Sequence, residues 1–144
     1  MKKHNLLKAV IFISIAVLIV SCSNSKDDDI NPANGNTNIP EGSWKVSQYI
    51  DSGKDETHKF NGYTFVFEND GTLTSTNGSN TATGTWSMGS DDSQTKLIIS
   101  FSTSQPHDDL SEDWTILEKN SGIIRLQDVS GSNGGIDQLS FIKK

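Results

Sequence analysis

The one cysteine of the chain, Cys22, is the side chain best suited to covalent chemistry, and its surroundings indicate which chemistry. An apolar run from Ala9 to Val20, interrupted only by Ser14, comes before it, and three lysines precede that run. A basic start, a short apolar stretch and a small residue such as Ser21 form the pattern of a secretory signal peptide. The run is shorter than the roughly 20 apolar residues that span a bilayer. The sequence therefore predicts export, with cleavage beside the thiol.

Residues 19–22, Ile-Val-Ser-Cys, resemble the lipobox of bacterial lipoproteins. The resemblance implies cleavage between Ser21 and Cys22, diacylglycerol on the Cys22 sulfur and an acylated new amino terminus. A thiol suits this transfer because a hydroxyl is a far poorer nucleophile. Each buried methylene of an acyl chain contributes about 0.8 kcal/mol to membrane binding. One chain therefore binds only marginally, and firm anchoring needs two or three. The alternative for Cys22 is a free or buried thiol, since a lone cysteine cannot close an internal disulfide.

Lys26, Asp27, Asp28 and Asp29 follow closely after the cysteine. This stretch resembles the acidic export signal of lipoproteins of the Bacteroidota, which implies display on the surface of the outer membrane. A solvated charge run is the alternative interpretation, and an anchor on the periplasmic face is the alternative location.

Removal of residues 1–21 would leave 9 basic and 18 acidic residues. A surface with this excess of carboxylates repels phosphate backbones and anionic headgroups, which argues against nucleic-acid partners. The lipid alone would then hold the protein at the membrane. Residues 30–40 are rich in Asn, Gly and Pro and indicate a flexible linker. We therefore divide the chain into a signal peptide (1–21), a lipidated N-terminus with linker (22–40) and one folded domain (41–144).

The folded domain shows the two-residue hydrophobic alternation of β-strands rather than a helical period. In the first segment, Trp44, Val46, Gln48 and Ile50 are expected on one face and Tyr49 on the other. Eight segments rich in β-branched or aromatic residues are predicted to be strands. They are SWKVSQYI, YTFVFE, TLTST, ATGTWSM, LIISFS, DWTILEK, IIRLQDV and IDQLSFI.

Short connections rich in Asn, Asp and Gly separate these segments. Such residues accept the positive φ of tight hairpins, and serial hairpins give an antiparallel meander. A meander avoids exposed edges by closing, so the predicted fold is an all-β, eight-stranded, antiparallel up-and-down barrel. A β-sandwich is the alternative. In QPHDDLSED, Pro106 can open a helical turn and Leu110 can cover one end of the barrel.

At Gly42-Ser43-Trp44 the domain resembles the lipocalin superfamily, and through GSWKVSQY, NGYTFVFENDGTLT, GTWSM and LQDVSGSNGG it is similar to the lipocalin-like domains of Bacteroidota lipoproteins. The resemblance implies that the Trp44 indole fills one end of the barrel. In lipocalins an arginine of the last strand packs over this tryptophan. Here the one arginine, Arg125, falls in the seventh predicted strand, and the eighth offers Lys143 and Lys144. We hypothesise that Arg125 stacks on Trp44 or Trp86, with a solvent-facing arginine as the alternative.

An eight-stranded barrel either holds one small ligand or is filled by its own side chains. The residues proposed to line a cavity are Trp44, Tyr63, Phe65, Phe67, Trp86, Phe101 and Trp114, with Leu97, Ile99, Ile116, Leu126, Leu139 and Phe141 completing the inward set. Two functions follow. Either the barrel binds a small hydrophobic ligand, or it is filled and serves as an interaction module for a protein partner that the sequence does not identify.

Side chains for other chemistry are sparse. His58 and His107 are far apart in sequence, so no metal site and no cofactor are expected. The acidic residues around His107 lack the spacing of a calcium loop. The chain has no Gly-x-Ser-x-Gly elbow, phosphate-binding glycine loop or dinucleotide fingerprint. We therefore expect a protein that is not an enzyme.

Overall fold

A computed structural model describes residues 38–103, 105–130 and 135–144. Nine strands and two short 3₁₀ helices account for its regular structure. The strands are β1 (Ser43–Asp51), β2 (Lys54–Asp55), β3 (Thr64–Phe67), β4 (Thr72–Asn77), β5 (Asn80–Asp91), β6 (Gln94–Phe101), β7 (Asp113–Lys119), β8 (Ile123–Ser130) and β9 (Gly135–Lys143). The 3₁₀ helices are Thr57–Phe60 and Asp108–Leu110.

The sheet is a closed antiparallel barrel of eight strands, β1 and β3 to β9. Each strand pairs with its neighbour in the chain, and β9 pairs back onto β1 from Trp44↔Lys143 to Ile50↔Gln138. β2 extends only the end of β1. Closure pairs the first and last strands of the meander with each other, which is the physical advantage of a barrel over an open meander. The predicted up-and-down barrel is confirmed, and the sandwich alternative is wrong.

All eight predicted strands are present. The short strand β2 and the 3₁₀ helix Thr57–Phe60 were not predicted. The helical turn expected near Pro106 occurs at Asp108–Leu110, and Leu110 is fully buried as expected.

The predicted alternation fails at one place in β1. The pairing of β1 with β9 shifts register between Val46 and Gln48, which is a β-bulge. Beyond the bulge the faces exchange, so Tyr49 is buried while Gln48 is exposed. The prediction that Gln48 and Ile50 share a face with Trp44 was therefore wrong. A one-residue insertion in a strand moves every following side chain to the opposite face.

Antiparallel order places the connections at two ends. The N-terminal end contains residues 38–42, the β3–β4, β5–β6 and β7–β8 hairpins, and the last residues of β9. The far end contains residues 52–63, the β4–β5 hairpin, the long β6–β7 connection, and the places where β8 ends and β9 begins.

Candidate functional site

The interior of the barrel is occupied by large side chains. Every residue of the predicted inward set is buried except Tyr63, which is partly buried. Edge-to-face ring pairs run through this interior, with centroids 5.3 Å apart for Phe65 and Phe141 and 5.4 Å for Phe67 and Phe141. Trp44 and Trp114 are also completely enclosed. The residues proposed as a cavity lining therefore belong to one packed core, and the ring pairs within it have the spacing that aromatic pairs prefer.

Residues preceding β1 close the N-terminal end. Ile39 belongs to the hydrophobic core, and the Trp44 indole Nε1 donates to the Pro40 carbonyl oxygen at 3.2 Å. Lys119, only 3% exposed, donates from Nζ to the Asn38 carbonyl oxygen at 3.1 Å. Burial lowers the pKa of the Lys119 ammonium, because the low-dielectric interior disfavours its charge. Part of the predicted linker is thus packed against the barrel.

The cation over Trp44 is Lys143, not Arg125. Lys143 Nζ lies 5.8 Å from the Trp44 ring centroid. Arg125 has a side chain that is 56% exposed and pairs with Glu118 at 2.7 Å on the outer surface. The hypothesis of an Arg125 stack was therefore wrong, because Arg125 lies between the inward residues Ile124 and Leu126 and must face outward.

Gly42 of the Gly-x-Trp motif has a φ of +125° and lies beneath the Lys143 side chain. A Cβ at this position would come within 2.8 Å of Lys143 Cε. The glycine therefore permits both the backbone conformation and the approach of the lysine to the indole.

A buried histidine lies at the far end. His107 Nε2 and Ser75 Oγ are 3.0 Å apart, and both side chains are buried. The rings of Tyr63 and Phe101 flank the imidazole, with centroids 5.0 and 5.1 Å away. Burial lowers the pKa of His107, opposed in part by the charge of Asp108. This contact joins the β6–β7 connection to β4.

A polar network holds the first 3₁₀ helix at the far end of the barrel. Lys59 pairs with Asp109 at 2.9 Å and with Glu56 at 3.3 Å, and so joins the first 3₁₀ helix to the β6–β7 connection. The hydrogen bond from Lys54, assisted by Lys59, lowers the pKa of Glu56. The Tyr49 hydroxyl donates to the Asp109 carbonyl oxygen at 3.0 Å. Burial, aided by nearby carboxylates, raises the pKa of Tyr49.

Charge is divided unequally between the two halves of the barrel. The far half carries nine carboxylates and two lysines, whereas the N-terminal half carries six carboxylates and six cations. The far-half carboxylates are Asp51, Asp55, Glu56, Asp108, Asp109, Glu112, Asp113, Asp128 and Asp137, with Lys54 and Lys59. The residues of the other half are Glu41, Glu68, Asp70, Asp91, Asp92 and Glu118, with Lys45, Lys96, Lys119, Arg125, Lys143 and Lys144.

The net negative charge of the described domain lies entirely at the far half, where burial and the carboxylates Asp128, Asp137 and Asp113 raise the pKa of Glu112. Within residues 38–103, 105–130 and 135–144, no three His, Cys, Asp or Glu side chains are grouped to hold a metal ion.

A cleft opens on the side of the barrel where β1 and β3 separate. These strands pair only at Ser43↔Val66 and Trp44↔Phe65. The space beyond, about 240 Å³, is lined by Lys45, Val46, Phe60, Asn61, Gly62, Tyr63 and Lys144. Pockets for drug-sized ligands usually measure about 300–1,000 Å³ and enclose most of the ligand. The cleft is smaller than these pockets and open to solvent.

No protein-family model matches the chain, and no curated protein matches its sequence. A crystal structure of a DUF4847 family protein from Bacteroides vulgatus is similar, at 15% sequence identity and a TM-score of 0.47. The match covers 74% of this chain and 94% of that chain.

The predicted lipidation and export residues, Ser21, Cys22, Lys26 and Asp27 to Asp29, lie outside the described residues. In the part of the chain that the structure describes, no helix has the length and apolar character to cross a bilayer.

Sequence reasoning missed the roles of Lys143, Lys119 and His107. The lipocalin pattern places a cation on the last strand, and this could have identified Lys143, because a lysine can replace an arginine over an indole. His107 stands among acidic residues, which indicated a solvated turn. No local pattern marked Lys119 as buried, because a β-bulge between Ile116 and Glu118 turns Lys119 to the inward face of β7.

Proposed function

We propose that this protein is exported, anchored to the outer membrane by lipid on Cys22, and uses its lipocalin-like barrel as an interaction module. In this proposal the barrel does not carry an enclosed apolar ligand. The observation that supports it is that Trp44, Phe65, Trp114 and Phe141 belong to one core cluster, in which all four are completely buried.

Packing density explains why a filled interior opposes ligand carriage. Protein cores are packed as densely as organic crystals, so a ligand can enter only if side chains leave their positions. Displacing Phe141 would separate it from both Phe65 and Phe67. The cleft between β1 and β3 is smaller than the usual pockets for drug-sized ligands, and Lys45, Asn61 and Lys144 contribute polar groups to its lining. These features favour the interaction module over the hydrophobic-ligand alternative.

Anchoring and location are proposed from the sequence. The lipobox-like residues 19–22 supply the thiol, and the Lys-Asp-Asp-Asp stretch supports display at the cell surface. The acidic surface favours neither nucleic acid nor direct electrostatic binding to anionic headgroups. We propose no catalytic activity, no cofactor and no metal for this module.

Ligand titration tests the filled interior. Residues 38–144 are mixed with fatty acids, retinol and haem, while tryptophan fluorescence and native mass are recorded. The wild-type domain should show neither quenching nor a retained ligand. A Phe141→Ala variant, which opens a space beside Phe65 and Phe67, is the matched control and should bind a small apolar probe such as benzene. Retention of a fatty acid, retinol or haem by the wild-type interior would contradict the proposal.

Mass spectrometry of the full chain made in a bacterium tests the anchor. The expected product begins at Cys22 and carries acyl groups, and the Cys22→Ser variant should lack them. A wild-type product with its initiator methionine and a bare thiol would refute lipid anchoring and leave the filled barrel unaffected.

A further inference from the structure

We infer that the lipid-anchored barrel stands with its N-terminal end toward the membrane and presents its carboxylate-rich far end away from it. The inference rests on the lipid anchoring proposed above. It identifies the N-terminal end as the surface that faces lipid and the far end as the surface that faces away from it.

The chain joins the barrel at the N-terminal end. Ile39 is in the core, Pro40 accepts a hydrogen bond from Trp44, and Asn38 accepts one from Lys119. These contacts fix residues 38–40 at the N-terminal end. The chain that connects this point with Cys22 therefore leaves from that end, whatever path it takes. A tether attached at one end holds that end nearer to the surface than the opposite end.

The distribution of charge favours the same orientation, independently of the tether. The half of the barrel nearer the tether has equal numbers of cations and carboxylates, whereas the far half has nine carboxylates against two lysines. An anionic lipid surface repels the far half and has no net interaction with the other. The repulsion acts within the Debye length, about 8 Å at physiological ionic strength. An inverted barrel would bring the carboxylates into this layer, so both arguments favour the same orientation.

The two ends of the barrel also differ in the side chains that they expose. At the N-terminal end, Trp44 and Ile39 are buried, whereas at the far end the cross-strand partners Val129 and Ile136 are 60% and 47% exposed. At the far end, the two 3₁₀ segments carry exposed polar residues such as His58 and Asp108. Presentation of these segments away from lipid leaves them accessible to a protein partner.

Two labels on one strand can measure the orientation. Thr81 and Ser90 are exposed, uncharged residues near opposite ends of β5. Nine residue steps separate them, which corresponds to about 30 Å along a strand. In the full lipidated chain the Cys22 sulfur is blocked, so Thr81→Cys or Ser90→Cys introduces the one reactive thiol. Each variant is labelled with a fluorophore and reconstituted in vesicles of phosphatidylcholine and phosphatidylglycerol that contain a spin-labelled headgroup lipid.

The expected result is a loss of emission from the label at position 90 and little loss from the label at position 81. Equal quenching at both positions, or stronger quenching at position 81, would overturn the orientation. In vesicles of phosphatidylcholine alone the difference should narrow, because the repulsion is removed; an unchanged difference would overturn the electrostatic argument.

Flotation with the same vesicles distinguishes the two proposals. A chain that floats with the vesicles but shows equal quenching retains its anchor and lacks the orientation. A chain that fails to float refutes both the anchor and the orientation that rests on it. Chemical attachment of a lipid to Cys22 of residues 22–144 then gives a second route to the same quenching measurement.

Discussion

The ammonium of Lys143 lies 5.8 Å from the centre of the Trp44 indole, so the last strand of the barrel provides the cation that lies over the tryptophan of the first strand. Trp44 and Lys143 are also cross-strand partners at the β1–β9 pairing that closes the barrel. The contact therefore stabilises the closure as well as the N-terminal end.

Loss of this cation should lower stability modestly. We expect Lys143→Met, which keeps an apolar side chain of similar length, to reduce the free energy of unfolding by about 0.5–1 kcal/mol. Arg125→Met is the control, since its exposed pair with Glu118 should contribute less, as surface ion pairs usually do. Urea denaturation of both variants gives the comparison. A larger loss for Arg125→Met than for Lys143→Met would contradict the assignment.

Gly84 and Gly89 form a matched pair of glycines in β5. A Cβ on Gly84 would collide with the Ser100 carbonyl oxygen and lie 2.7 Å from Phe101 Cδ1, whereas one on Gly89 would meet only the flexible end of Ile98. We expect Gly84→Ala to cost about 1–3 kcal/mol by overpacking, and Gly89→Ala to cost less. Thermal unfolding measures both. Equal melting temperatures would show that the β5–β6 backbone adjusts to the added methyl group.

Protonation of His107 should reduce stability in mild acid. Burial lowers its pKa in the folded state, so between that pKa and the unfolded value of about 6.5 the unfolded chain binds more protons. The contribution of His107 to stability is therefore complete above the pKa of the unfolded chain, and it is lost as the pH falls toward the pKa of the folded state. We expect the unfolding midpoint of the wild type to fall more steeply between pH 7 and 5 than that of His107→Gln.

The control for this pH profile is His58→Gln, which replaces an exposed imidazole. It should retain the slope of the wild type. A His107→Gln variant with an unchanged slope would assign the acid sensitivity to other groups.

Lys119 should hold the segment before β1 against the barrel. We expect Lys119→Met to leave the barrel folded but to increase cleavage beside Asn38 in limited proteolysis, because the hydrogen bond to the Asn38 carbonyl is lost. Lys96→Met, on the same half of the barrel, is the control. Cleavage at equal rates in both variants would show that the burial of Ile39 alone retains the segment.

The sequence was sufficient for the strands and for most of the core. Alternation of apolar side chains identified eight strands because a barrel wall has one buried and one solvated face, and this leaves a period of two in the sequence. Short Asn, Asp and Gly connections then indicated antiparallel neighbours. The β-bulge at Val46–Gln48 was not predictable in this way, because it follows from how β1 fits β9, a strand about ninety residues away in the chain.

The candidate functional residues likewise divide into those that the sequence identifies and those that only the tertiary structure reveals. Residues 19–29 by themselves determined the hypothesis of a lipid anchor, since a signal of this kind is read from contiguous residues. Only the tertiary structure decided that Lys143 covers Trp44, that Lys119 and His107 are buried, and that the carboxylates collect at one end. Local sequence specifies the periodicity of each strand, whereas closure of the barrel brings distant residues together, and burial and electrostatic fields depend on those neighbours.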